Sequence, residues 1–275
     1  MKFFNRKKAP PEREKIGLAL GGGGARGFVQ VGALKAFYER GIDFDLCVGT
    51  SVGSIVGALY CAGLTPDEIA RAAENIEFAD LHGKFLLKPD DPRKIGRVVY
   101  NLIGDAKIED LPKKYAAVAT DLKTGKQVVL DKGSVIDAVS ASSAYPIVYA
   151  PLKMDGMMLT DGGLTNNIPS DVCRMLGAKK VITVDAHGTR GSGTDGTGMF
   201  DMLKAMFSIM SANASVIGLM QSDLVIAPDT SAFKSTSKDG YKTMIELGYN
   251  AALEKMSEIE QLIQATDDSA DGNKR

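Results

Sequence analysis

Twice within the first 61 residues a short apolar run ends in a turn of small residues and passes directly into a helical pattern. The first run, 16–20, leads through Gly21-Gly22-Gly23-Gly24-Ala25-Arg26-Gly27 into a helix expected over 27–39, where Val29, Leu34 and Phe37 share a face. The second, 44–48, leads through Gly49-Thr50-Ser51-Val52-Gly53 into a helix ending near Cys61. A strand that runs straight into a helix must cross over before a parallel partner can pair with it, so this order predicts an α/β fold with a mostly parallel sheet flanked by helices. Further strands are expected at 115–119, 127–130, 157–160, 181–185 and 224–226, with Thr124–Gly125 turning between two of them. Further helices are expected at 66–75 behind the Thr65–Pro66 start signal, at 135–143, and at 241–263. Residues 78–112, broken by Pro89 and Pro92, read as an irregular covering segment, and the glycine-rich stretch 187–198 as a mobile loop.

With 275 residues, 44% of them hydrophobic, the chain can build one full-sized core. The expected organisation is a single domain over 16–265 between a basic tail, 1–15, and a polar tail, 266–275. A formal net charge of −1 removes any whole-molecule attraction to nucleic acid. The basic tail sets Lys2, Arg6, Lys7, Lys8, Arg13 and Lys15 against Glu12 and Glu14, beside Phe3 and Phe4. It reads as a solubilising segment, with peripheral contact to an anionic inner membrane as the alternative. It has no apolar stretch of secretory type, and the longest uninterrupted apolar run elsewhere, 55–63, is far below the roughly 18 residues of a membrane span. Cys47, Cys61 and Cys173 are odd in number and set among apolar neighbours, which points to buried thiols and a cytoplasmic location.

Three places carry chemistry. Gly49-Thr50-Ser51-Val52-Gly53 between a strand and a helix has the form of a nucleophile elbow, where small neighbours permit a strained turn that presents the Ser51 hydroxyl; taken alone, it also reads as an ordinary turn capped by Ser51. The glycine loop matches a dinucleotide fingerprint as Gly22-x-Gly24-x-x-Gly27, but that site needs an acid at the end of the second strand. Asp43 and Asp45 stand at the start of that strand, and its end carries Ser51. The loop serves equally as an oxyanion cradle, with donors from Gly22, Gly23, Gly24 and Ala25, joined by Val52, and with Arg26 holding the loop or adding charge. Asp161-Gly162-Gly163 follows a strand, and Asp161 can take a proton from serine directly if burial raises its pKa; the alternative is a plain Asp-Gly turn. The two histidines, His82 and His187, are poor candidates for a base.

In this order the motifs resemble those of the patatin-like phospholipases, especially their compact bacterial members. Gly22 to Gly27 is similar to the family's oxyanion motif, Gly49 to Gly53 to its elbow, and Asp161-Gly162-Gly163 to its aspartate motif. Ala141-Ser142-Ser143-Ala144-Tyr145-Pro146 and Leu164-Thr165-Asn166-Asn167-Ile168-Pro169 resemble the segments on either side of the aspartate. The resemblance covers about residues 16–185. It implies a three-layer fold, a Ser51–Asp161 dyad without histidine, no metal or cofactor, and fatty-acyl esters of phospholipids or lysophospholipids as substrates. A thioesterase or general carboxylesterase is the near alternative, and a non-catalytic module binding lipid or protein the remote one. The stripe Met199, Leu203, Met206, Met210, Ile217, Met220 follows helical spacing and reads as core or subunit interface, with an acyl-chain channel as the alternative.

Overall fold

The computed structural model describes residues 14–74, 89–146, 148–187 and 196–272. The tail 1–13, His82 within 75–88, and most of the glycine-rich stretch fall outside them. The chain begins β1 (Lys15–Leu20), α1 (Phe28–Glu39), β2 (Leu46–Thr50), α2 (Val52–Cys61), α3 (Pro66–Glu74) and α4 (Arg93–Ile103). It continues β3 (Lys114–Asp121), β4 (Lys126–Leu130), α5 (Val135–Ser142), β5 (Leu152–Met154), β6 (Met157–Asp161), α6 (Ser170–Met175) and β7 (Ala178–Val184). The last elements are α7 (Met199–Ala214), α8 (Val216–Met220), β8 (Leu224–Ile226), α9 (Tyr241–Glu254) and α10 (Met256–Gly272).

The strands form an eight-stranded sheet in the order β5-β6-β3-β2-β1-β7-β8, with β4 also on β3. From β3 through β2, β1 and β7 to β8 every pairing is parallel, while β4, β5 and β6 pair antiparallel. Alternation along the central strands feeds two cores. Ile16, Leu18 and Leu20 of β1 join Cys47, Tyr115 and Ile182 in the larger one, roofed by residues of α1, α2, α5 and α9. Ala19, Leu46, Val48, Ala116 and Val181 face the other way, onto Val172 and Cys173 of α6. Helices therefore cover both faces of a mostly parallel sheet, as the alternating pattern predicts, which is the three-layer fold that the resemblance implies.

The differences from the sequence-based expectation have local causes. β2 is displaced two residues toward Ser51, because the Asp45 carboxylate accepts the Ile16 N–H at 2.7 Å and Tyr60 takes the Phe44 N–H at 3.1 Å, so the ladder starts at Leu46. The covering segment contains the regular helix α4, which begins after Pro92 and ends at Gly104, where φ is 68°. The helix expected over 241–263 is broken at Lys255 into α9 and α10. The methionine stripe lies on α7 and α8 and is exposed, which overturns the core reading and leaves the subunit interface and acyl-chain contact open.

The topology fixes the site. β2 runs parallel to β3 and its ladder ends at Thr50 opposite Val118. β6 runs antiparallel to β3 and ends at Asp161 opposite Ala119. β4 occupies β3's other edge from Ala117 to Asp121, so β2 and β6 share one edge and meet head to head, with their C-terminal ends one β3 residue apart. Ser51 and Asp161, 110 residues apart in sequence, are the residues at that meeting point.

Candidate active site

Between β2 and α2 the backbone has room to turn sharply only because of its glycines. A Cβ on Gly49 would strike the Gly53 carbonyl, and one on Gly53 would strike the Leu20 carbonyl. Ser51, at the apex, takes φ 53° and ψ −126°, a strained conformation for a residue with a Cβ. Serine hydroxyls hold it there. Ser142 Oγ accepts the Ser51 N–H at 3.0 Å while donating to the Val118 carbonyl at 2.6 Å. The Ser51 carbonyl accepts from Ser143 Oγ at 3.0 Å and from Ser54 Oγ at 2.7 Å.

The Ser51 hydroxyl donates to Asp161 Oδ2 at 2.7 Å. Asp161 is 2% exposed, and its other oxygen, Oδ1, accepts the Gly163 N–H at 2.8 Å. Gly162 and Gly163 form a tight turn directly behind it, with Gly162 against the Val118 carbonyl. Burial pushes the Asp161 carboxyl up to about 6, against the smaller opposing effects of the Ser51 and Gly163 hydrogen bonds. Its backbone is fixed as well, with N–H to the Ala144 carbonyl at 3.1 Å and C=O accepting from Thr120 Oγ1 at 3.0 Å.

The glycine loop crosses the same end of the sheet. Its N–H groups divide into two sets. Gly22 donates to the Asn167 carbonyl at 3.1 Å, Ala25 to the Ser235 carbonyl at 2.8 Å and Arg26 to the Gly23 carbonyl at 3.3 Å. Among the described residues, the N–H groups of Gly23, Gly24 and Val52 have no protein acceptor. The donor set expected from the sequence is thereby narrowed: in this geometry Gly22 and Ala25 are committed to the protein itself. The Arg26 guanidinium is also engaged, with Nε on the Phe233 carbonyl at 2.9 Å and Nη1 on the His187 carbonyl at 3.3 Å. It straps the loop to two distant segments.

His187 contacts Asp185 through its backbone N–H and Ser208 Oγ through Nε2 at 3.3 Å, and burial lowers its pKa, favouring the neutral ring. Asn167 ties the site together: its carbonyl takes Gly22, and its Nδ2 donates to Ser215 Oγ at 3.2 Å. Helix α7 closes one side, with Phe207 edge-on to Tyr145 at 4.5 Å and Ser211 beside Gly163. Sequence reasoning did not single out Ser142, Ser143, Ser54 or Asn167 for a role. The first two and Asn167 lie in the quoted flanking segments, but their partners are far away in the chain. Among the described residues no group of three His, Cys, Asp or Glu side chains could hold a metal ion.

Comparison with known proteins bears on the family and the fold. The family model described as patatin-like phospholipase matches residues 18–174. An uncharacterised NTE family protein of Mycobacterium tuberculosis is 37% identical over 185 residues, covering 64% of this chain and 50% of that protein. The neuropathy target esterase sws of Drosophila melanogaster is 35% identical over 182 residues, which is 62% of this chain and 13% of that protein. Patatin-like phospholipase domain-containing protein 7 of Rattus norvegicus is 38% identical over 198 residues, 68% of this chain and 14% of that protein. The chain thus spans half or less of the length of these relatives. Among solved structures, VipD from Legionella pneumophila superposes with a TM-score of 0.55 at 15% identity, over 93% of this chain and 68% of that one. ExoU of Pseudomonas aeruginosa, in complex with SpcU, gives 0.51 at 13% identity, over 92% of this chain and 54% of that one.

Proposed function

Because the chain belongs to the patatin-like phospholipase family, we propose that it is a serine acyl hydrolase acting on fatty-acyl esters of phospholipids, lysophospholipids or related lipids. The observation that carries the reading is the 2.7 Å hydrogen bond from the Ser51 hydroxyl to a buried carboxylate. Ser51 Oγ attacks the ester carbonyl as its proton passes to Asp161 Oδ2. A base whose pKa is raised to about 6 is mostly ionised at neutral pH yet holds a proton better than an exposed aspartate. The negative charge on the former carbonyl oxygen falls to Gly23, Gly24 and Val52, whose N–H groups find no acceptor among the described residues. Asp161 then returns the proton to the departing alcohol, leaving an acyl group on Ser51. Water, deprotonated by Asp161, attacks that acyl group, and Asp161 passes the proton to Ser51 Oγ as the fatty acid leaves. No imidazole enters the scheme. Residues 16–265 act as one domain, and the buried, unpaired Cys47, Cys61 and Cys173 suit a reducing cytoplasmic setting.

The test is hydrolysis of a soluble fatty-acyl p-nitrophenyl ester. Ser51→Ala and Asp161→Asn are each expected to lower kcat at least a thousandfold while the circular dichroism spectrum is retained. A fluorophosphonate probe is expected to label Ser51 in the wild type. Activity retained by either variant overturns the dyad, and labelling elsewhere overturns the nucleophile.

A further inference from the structure

Helices α7 and α8 together form a 22-residue apolar stretch, Met199–Met220, most of which is not buried. Its two faces are reversed relative to a water-soluble helix. The inward face is small and polar: Ser208, Ser211, Ser215 and Gly218 are buried. The outward face repeats large apolar side chains at helical spacing, with Met202, Met206, Ile209, Val216, Ile217 and Met220 between 43% and 79% exposed. The stretch has two charged residues, Asp201 and Lys204, and they pair with each other at 3.3 Å. From residue 205 onward it has none.

Resting on the hydrolase reading above, we infer that this outward face docks on a lipid bilayer, lying in the boundary between headgroups and hydrocarbon and holding the Ser51 site against its substrate. The inward face fixes the orientation. Ser215 Oγ accepts from Asn167, which also holds the glycine loop, Phe207 packs on Tyr145, and Gly218 lies against the Ile168 backbone. Spanning a membrane would strip these contacts from the site, so the helix lies in the plane of the surface. A second copy of the chain is a poor occupant. Twenty-two residues extend about 33 Å, and a face about 10 Å wide offers on the order of 300 Å², against about 800 Å² per partner in a stable protein interface. Binding to a lipid surface has no such threshold, because each apolar side chain that enters adds to it. The uncharged length of the face suits hydrocarbon rather than a charged protein partner or an anionic headgroup.

The experiment uses the full chain and vesicles of phosphatidylcholine, which carry no net charge and so give the basic N-terminal segment nothing to bind. Wild type is expected to co-sediment with them. Because the protein has no tryptophan, a Met220→Trp variant provides a single reporter, expected to shift blue on vesicle addition. The triple variant Met202→Gln, Ile209→Gln, Val216→Gln is expected to bind vesicles at least tenfold more weakly, with hydrolysis of a short-chain soluble ester unchanged. Vesicle binding by the triple variant equal to wild type overturns the inference. So does a wild-type dimer that the triple substitution dissolves, which assigns the face to a second copy. A loss of several degrees in Tm with vesicle binding intact assigns it to another segment of this chain and overturns the inference equally. The two readings fail separately: cleavage of the soluble ester without vesicle binding sinks docking alone, and vesicle binding without cleavage of any ester sinks the hydrolase alone.

Discussion

Ser51 holds a backbone conformation that costs about 1–3 kcal/mol, and three serine hydroxyls on its own N–H and C=O offset that strain. Ser142 is the critical one, because among the described residues it alone accepts the Ser51 N–H. Ser142→Ala leaves that group without an acceptor, at a cost of about 1–3 kcal/mol, and is expected to lower kcat about tenfold or more with KM little changed; Ser142→Thr restores part of the rate, and steady-state kinetics on a soluble ester reads both. Asp161 makes the opposite trade. Burial raises its folded pKa from 3.8 to about 6. Below pH 3.8 the carboxyl is protonated in both states and costs nothing. Between 3.8 and 6 the unfolded chain ionises first, so stability falls as pH rises, and above 6 the full penalty applies, about 3 kcal/mol at 1.36 kcal/mol per unit. Asp161→Asn is therefore expected to be the more stable protein at pH 8 and equal to wild type near pH 3, as urea denaturation at the two pH values checks. Wild-type kcat/KM, by contrast, is expected to climb with pH through about 6 as the base ionises. Ser51 and Asp161 were legible because their glycine neighbours mark them. The Ser142 clamp was not, because a small hydroxyl at the end of a helix looks like ordinary packing until a partner 91 residues away is placed against it.

The elements around the site owe their precision to crossings that leave few sequence marks. The glycine loop is legible as a strand-to-helix turn, yet which of its N–H groups face a ligand depends on Asn167 and Ser235, residues of other segments. Arg26 controls the same loop by bridging the Phe233 and His187 carbonyls with one planar fork. A lysine cannot span both acceptors with a single ammonium group in the same geometry. Arg26→Lys is thus expected to behave nearly like Arg26→Ala, each lowering the rate of fluorophosphonate labelling at Ser51 about tenfold or more without changing the folded spectrum. Full rescue by lysine would show that charge, rather than the bridge, is what the site needs. α4 illustrates the converse limit on sequence reading. Prolines and charges obscured it, but Pro92 starts the helix rather than breaking it, and Gly96 and Val99 are the buried residues that seat it.

At the scale of the molecule, the alternating pattern was enough to predict a parallel sheet between helix layers, since each central strand is buried on both faces. The antiparallel entry of β6 was not legible, because a five-residue strand carries no mark of its direction. Yet that reversal brings Asp161 to Ser51: a parallel β6 on the same edge would present its N-terminal end there. The site therefore exists only when β2, β3 and β6 are all in register, which ties activity to the integrity of the whole sheet. The three thiols report on that integrity from both sides of it, Cys47 on β2 and Cys61 at the end of α2 in the larger core, Cys173 on α6 in the smaller. Burial raises the pKa of Cys47 and Cys173 above the ordinary thiol range, so in the folded protein neither offers a reactive thiolate. If residues 16–265 are one cooperative unit, none of the three reacts with a disulfide reagent in buffer. In a guanidinium series all three become reactive at one midpoint, and esterase activity disappears at the same concentration. Mass spectrometry of the labelled protein resolves the sites individually. Exposure of Cys173 at a lower midpoint than Cys47 and Cys61 would divide the sheet's two faces into separate units and break the link between fold and dyad.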